Sequence, residues 1–120
     1  MFILIVEDSL EIAEALKEAL ALAGHTARVC GTMRAAMDIL DHLPVEAVIA
    51  DGEIPSYDVS QPPYPWGPEI TRFARGIGIK AILFSANDEL VEQERQAGGK
   101  AVLKPGNGVG ELLEMLEGEP

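Results

Sequence analysis

Five polar side chains in this sequence stand where a short apolar run stops. Phe2 to Val6 ends at Glu7-Asp8, Val48-Ile49-Ala50 at Asp51, Ala81 to Phe84 at Ser85, and Ala101 to Leu103 at Lys104. Short apolar runs bounded by turn residues read as strands buried on both faces, as in a parallel sheet. Gly52, Glu53, Ile54 and Pro55 form such a turn after Asp51. Ligands of open α/β sheets bind at the carboxyl ends of the strands. If the four runs lie parallel, those ends bring together three carboxylates, a hydroxyl and an ammonium. The set suits phosphoryl chemistry at a hard metal. Mg²⁺ is commonly bound by one or two carboxylates and keeps several waters. A carboxylate can act as a nucleophile and become an aspartyl-phosphate, and a lysine ammonium neutralises phosphate oxygens.

Each of these residues also has an ordinary reading. Asp8 could cap a helix, with Glu11 completing a capping box. Ser85 could close a serine turn, and Asp51 could start the turn that follows it. Lys104 could be surface charge ahead of a proline turn. A cap at a strand end points into the same crevice, so a capping Asp8 remains available to a metal.

The elements that must carry these residues alternate along the chain. Ser9 to Ala23 reads as a helix with Ile12, Leu16, Ala19 and Ala23 on its apolar side and Gly24 at its end. Thr26 to Cys30 alternates in polarity and suits an edge strand. Thr32 is placed to cap a helix bearing Met33, Ala36, Met37 and Leu40, which Pro44 closes. Ser56 to Gly67 holds Pro62, Pro63 and Pro65 with Tyr57, Tyr64 and Trp66, too many prolines for a helix or a central strand. A third helix starts near Pro68 and buries Ile70, Phe73, Ala74 and Ile77. After the strand Lys80 to Phe84, a helix over Asp88 to Ala97 has little beyond Leu90, Val91 and Ala97 to pack. A last helix carries Val109, Leu112, Leu113 and Leu116 at helical spacing. Strand and helix in alternation predict an α/β fold with a parallel sheet.

The balance of 9 basic against 20 acidic residues, a net charge of −11, argues against nucleic acid as a partner. Most of those acids must simply be solvated. The single Cys30 rules out an internal disulfide, and it reads as a small buried or edge residue. His25 and His42 read as solvated. No apolar run reaches the roughly 20 residues that span a membrane. Met1 leads into the first strand without a basic segment, so no signal peptide is read and a cytoplasmic location is expected.

With the acid pair Glu7-Asp8, Asp51 followed four residues on by Pro55, Ser85-Ala86 and Lys104-Pro105, in that order, the sequence resembles the receiver domain of two-component response regulators. The resemblance covers nearly the whole chain. It implies one receiver domain over residues 1–120, doubly wound, with a five-stranded parallel sheet of flavodoxin-like order 2-1-3-4-5 and helices on both faces. It implies a phosphoacceptor that takes a phosphoryl group from a histidine kinase or phosphotransfer protein onto Asp51 with Mg²⁺ bound, and then switches binding to a downstream protein. In that reading Asp51 is nucleophile and metal ligand. Asp8 ligates the metal directly, Glu7 mainly through water, and Glu53 through its backbone carbonyl. Lys104 pairs with the phosphoryl group, Ser85 donates a hydrogen bond to it, and the Lys104–Pro105 bond is cis. No effector segment follows Pro120, so a stand-alone receiver is expected.

Three features depart from the family's pattern. Glu53 adds a carboxylate beside the site. Ala101 stands three residues before the lysine, where an aromatic is frequent, so phosphorylation is expected to shift helix four and Ala86 to Asp88 instead of a ring. The Ser56–Gly67 segment is longer than the usual loop and is expected near the mouth of the site. Two other readings remain: a pseudo-receiver that binds partners without phosphorylation, and a Mg²⁺-dependent phosphohydrolase. The second would carry Asp-x-Asp after its first strand, whereas here the sequence is Asp51-Gly52-Glu53 after the third.

Overall fold

The computed structural model describes residues 1–104 and 108–118, so the Lys104–Pro105 bond lies outside the described residues. Five strands, β1 (Phe2–Val6), β2 (Thr26–Cys30), β3 (Ala47–Ala50), β4 (Lys80–Ser85) and β5 (Lys100–Leu103), form one parallel sheet in the order β2-β1-β3-β4-β5. Helices α1 (Leu10–Leu22), α2 (Met33–His42), α3 (Gly67–Gly76), α4 (Asp88–Gln96) and α5 (Gly108–Glu117) alternate with them. This is the flavodoxin-like order expected from the sequence. The chain reverses direction across the sheet at β1 and β3, and a crevice opens beyond their carboxyl ends. Val6 pairs with Ala50 in register, which sets Glu7 and Asp51 side by side one residue further on.

Alternation along the buried strands divides the core. Ile3, Ile5, Ile49, Ile82 and Phe84 pack under α1 and α5 with Leu16, Leu20, Leu112 and Leu116. Leu4, Val6, Val48 and Ala50 pack on the other face with Leu40, Ile70 and Ala74 of α2 and α3. Each such Ile or Leu side chain, withdrawn from water, contributes about 1.5–3 kcal/mol. A small third group, Leu83, Val91 and Ala101, lies under α4.

Several faces and ends differ from the sequence expectation. Ser9, not Asp8, caps α1, its hydroxyl accepting from the Ile12 N–H at 3.4 Å. The α1 core face is Ala13, Leu16 and Leu20, while Ile12 and Ala23 are exposed. In α3, Ile70, Thr71 and Ala74 are buried, but Phe73 and Ile77 are exposed. Thr71 takes a buried place on this face, its hydroxyl donating to Glu94 of α4. In α4 the buried residues are Val91 and Glu94, and Ala97 is exposed. Val109 in α5 is also exposed. His25 is half-buried: its Nδ1 lies 3.0 Å from the Met1 ammonium and its Nε2 is buried without a partner. His42 is exposed, as expected. No helix among the described residues is long and apolar enough to cross a membrane.

Candidate functional site

The carboxyl ends of β1 and β3 bring Glu7, Asp8 and Asp51 so close that one carboxylate oxygen from each lies within 4.8 Å of the others. Glu7 is buried, with its Oε2 accepting from the Ser9 N–H at 3.2 Å. Because Ser9 supplies the cap, the Asp8 carboxylate is left for the acidic cluster. Lys104, at the end of β5, donates from Nζ to Glu7 Oε1 at 2.6 Å and lies 3.6 Å from Asp51 Oδ1. Its ammonium also sits 4.9 Å from the centre of the Phe84 ring.

The proton affinities follow from this crowding. Burial pushes Asp51 up, the Lys104 ammonium opposes it, and the Glu7 carboxylate adds to the rise, so the Asp51 carboxyl is raised to about 7. Burial also pushes Glu7 up, but the hydrogen bond and charge of Lys104 outweigh it and hold Glu7 below the usual range. Asp8 is raised by burial and by Glu7 beside it. Three carboxylates face one ammonium here, and the donor set is all oxygen. That is the chemistry of a hard divalent cation site.

Ser85 and Glu53 stand at the rim. Ser85 is buried, and its Oγ accepts from the Asn87 N–H at 3.0 Å, the serine turn allowed for in the sequence. It presses on the residue after Asp51: a Cβ on Gly52 would lie 2.5 Å from Ser85 Oγ. The backbone N–H of Glu53 works against the rise at Asp51, lowering its carboxyl slightly. The Glu53 carboxylate is exposed, outside the cluster of three, and accepts from Asn87 Nδ2 at 3.3 Å.

The proline-rich segment does border the crevice. Ile54 and Tyr64 exchange backbone hydrogen bonds of 2.9 Å, which close the segment into a loop. The carbonyls of Pro55 and Ser56 accept from the first amides of α2, at Met33 and Arg34. Trp66 Nε1 donates to Ser56 Oγ at 2.8 Å. Val59 rests over Gly31 beside the Asp8 backbone: a Cβ on Gly31 would be 3.2 Å from Val59 Cγ1 and 3.6 Å from Asp8 Cα. Gly67 then brings α3 against the acidic turn, its N–H donating to the Gly52 carbonyl at 3.1 Å.

Sequence reasoning missed one polar cluster next to this region. Glu94 of α4 is buried, with Oε2 accepting from Thr71 Oγ1 at 2.6 Å and from Arg75 Nη1 at 2.7 Å, both on α3. The signal was a lone Glu on the turn after Val91, in a helix with too few apolar residues. In the next position, the Arg95 guanidinium donates to the Ala101 carbonyl at 3.0 Å. Ala101 itself is buried, in one apolar cluster with Leu83 and Val91.

Strand order, crevice and acidic cluster together define a doubly wound α/β protein with an anionic switch-point site. Its fold is that of response regulator receiver domains. The chain is similar to the Thermotoga maritima response regulator TrrA, solved in complex with Mg²⁺-BeF, with a TM-score of 0.77 and 23% identity over 97% of this chain and 96% of that one. It is similar to a CheY-like receiver domain protein from Methanospirillum hungatei, with a TM-score of 0.75 and 23% identity, covering 97% and 90%. A third, from Methylobacillus flagellatus, has a TM-score of 0.75 and 21% identity, covering 98% and 96%. At these identities the likeness is one of fold. No protein-family model and no curated protein matches the sequence.

Proposed function

We propose that this chain is a cytoplasmic phosphoacceptor domain of a two-component relay, taking a phosphoryl group onto Asp51 from a histidine kinase or phosphotransfer protein and then switching binding to a downstream protein. The observation that carries the reading is the meeting of Glu7, Asp8 and Asp51 within 4.8 Å, with the Lys104 ammonium against two of them. Among the described residues one ammonium faces the three carboxylates, which leaves the cluster short of positive charge, and oxygen donors at this density fit Mg²⁺. The Thermotoga maritima protein, with the same fold, was solved with Mg²⁺-BeF.

Asp8 and Asp51 would hold the metal directly, Glu7 through water, and Glu53 through its carbonyl. Bound there, Mg²⁺ supplies charge neutralisation for phosphoryl oxygens and for the carboxylates that face them. A carboxylate oxygen of Asp51 forms the new bond to phosphorus as the bond from phosphorus to the donor imidazole breaks. Lys104 is tethered to Glu7 at 2.6 Å, and that tether aims its ammonium at the Asp51 side of the crevice. The Ser85 hydroxyl, which accepts from the Asn87 N–H in this structure, carries a hydrogen that it would donate to a phosphoryl oxygen on turning toward it.

Incubation with a small acyl phosphate and Mg²⁺, read by intact mass, tests this. One stable phosphoryl adduct, absent with Asp51→Asn, is the expected result. No adduct would favour a binding module that works without phosphorylation, and multiple-turnover release of phosphate would favour a hydrolase. Trp66, the single tryptophan, caps α3 one residue before Gly67, so its fluorescence should respond to Mg²⁺.

A further inference from the structure

Buried carboxylates are expensive to desolvate, and an ion pair replaced by apolar side chains of similar volume is often no less stable. Glu94 therefore calls for a reason other than holding α4 down, which a leucine would do. Its geometry is demanding. Oε2 takes both the Thr71 hydroxyl and the Arg75 guanidinium. Gly99, in the loop after α4, lies against the pair: a Cβ there would be 2.6 Å from Arg75 Nη1 and 2.7 Å from Glu94 Oε2, so either side chain would have to shift. The cluster thus fixes one placement of α3 relative to α4.

Both helices begin at the acidic crevice. Gly67, at the start of α3, lies against Asp51 and Gly52: a Cβ there would be 2.3 Å from the Asp51 carbonyl oxygen. Asn87, the cap of α4, takes the Ser85 hydroxyl on its N–H and the Glu53 carboxylate on its amide. Leu90, in the first turn of α4, reaches the same glycine that Ser85 presses on, 2.9 Å from a Cβ built on Gly52. A rotation of α4 about α3 would move Leu90 against Gly52 and Asn87 against Ser85 and Glu53.

We propose that Glu94 is a positioning residue for the Asp51 site: by binding Thr71 and Arg75 it holds α3 and α4 at the placement in which their amino ends close around Asp51, Gly52 and Ser85. The inference rests on the reading of Asp51 as the acceptor for its kinetic readout, but not for its structural one.

The test compares wild type, Glu94→Leu, Glu94→Gln and Leu20→Ala, the last losing stability on the α1 side of the sheet. Two quantities are measured: the rate of adduct formation with a small acyl phosphate and Mg²⁺, and amide exchange at Gly67 and Asn87. Glu94→Leu should slow the adduct by about fivefold and speed both amides by a similar factor. Leu20→Ala should leave both readouts near wild type, and Glu94→Gln, which keeps the length and the hydrogen-bonding oxygen, should restore them. If Glu94→Leu behaves as Leu20→Ala does, Glu94 is only structural and the proposal is wrong. Should wild type accept no phosphoryl group, the acceptor reading fails, and exchange at Gly67 and Asn87 decides the positioning role alone. If Glu94→Leu does not fold, Arg75→Met, which removes the partner from a partly exposed position, carries the same comparison.

Discussion

The Lys104 ammonium, at the end of the edge strand β5, bonds to Glu7 at the end of β1, across β4 and β3. It is 2.6 Å from Glu7 and 3.6 Å from Asp51. That difference divides the work of the two carboxylates. Glu7 stays ionised despite burial, whereas Asp51, with the longer contact and a charged neighbour, has its carboxyl raised to about 7.

A metal-free pH dependence follows from Asp51. An acid whose folded pKa is raised favours the folded state when protonated. Its contribution is fully present below the unfolded value, near 3.9, and is lost as pH rises through about 7. The loss amounts to at most about 4 kcal/mol. Glu7, lowered, acts in the opposite sense, so the difference between wild type and Asp51→Asn isolates the Asp51 term. In chelator, Asp51→Asn should gain stability over wild type between about pH 5 and about pH 8. It should also take no phosphoryl group. Urea unfolding at the two pH values checks the first, and a constant difference between the proteins would show that the site does not strain Asp51.

Gly67→Ala should be strongly destabilising. Its Cβ would lie 2.3 Å from the Asp51 carbonyl oxygen, 2.7 Å from Gly52 Cα and 2.8 Å from Leu83 Cδ1. Two of these are backbone, so α3 would have to move away from the acidic turn. About 2–4 kcal/mol is expected, well above the ordinary gain of Ala over Gly at a helix start. A loss within about 1 kcal/mol in urea would mean that α3 is not seated on Asp51 as described.

Much of this was legible in the sequence because strands buried on both faces are nearly continuous apolar runs. Four strands and the positions of Glu7, Asp8, Asp51, Ser85 and Lys104 at their ends follow from that single pattern, and β2 follows from the alternation of an edge strand. The helix faces were read less well. Ile12, Phe73 and Ile77 are apolar and at helical spacing, yet exposed, because the buried stripes run instead through Ala13, Leu16 and Leu20 of α1 and through Ile70, Thr71 and Ala74 of α3. Burial of Glu94 is not legible in the sequence, because a buried acid is recognised by its partners, and Thr71 and Arg75 lie 23 and 19 residues away. The seat of the proline-rich loop depends on backbone carbonyls at Pro55 and Ser56, which side-chain chemistry does not announce.

Cys30 lies at the edge of the sheet, half-buried, and burial pushes its thiol up to about 12. The thiolate is the reactive form, and a higher pKa leaves less of it at a given pH. Alkylation at about pH 8 should therefore run roughly a thousandfold slower than for an exposed thiol. Unfolding in urea should restore the ordinary rate. Equal rates in the folded and unfolded chain would show the thiol to be accessible and unshifted.

The last expectation concerns α4, whose apolar face is thin. The sequence alone suggests that the whole helix shifts when Asp51 is phosphorylated. The structure divides the helix instead. Its second half is held by Val91 on Leu83 and Ala101, by Glu94 on Thr71 and Arg75, and by Arg95 on the Ala101 carbonyl. Its first turn is held by the Asn87 side chain, which accepts from the Glu89 and Leu90 amides, and by Ser85 Oγ, which accepts from the Asn87 amide. A Ser85 hydroxyl drawn toward a phosphoryl oxygen gives up the Asn87 amide and loosens a cap worth about 1 kcal/mol. With a beryllofluoride mimic and Mg²⁺, amide exchange should quicken at Asn87, Glu89 and Leu90 and stay unchanged at Arg95 and Gln96. Exchange altered along all of α4 would show that the Glu94 cluster yields with the cap. No change at Asn87 would show that Ser85 does not move.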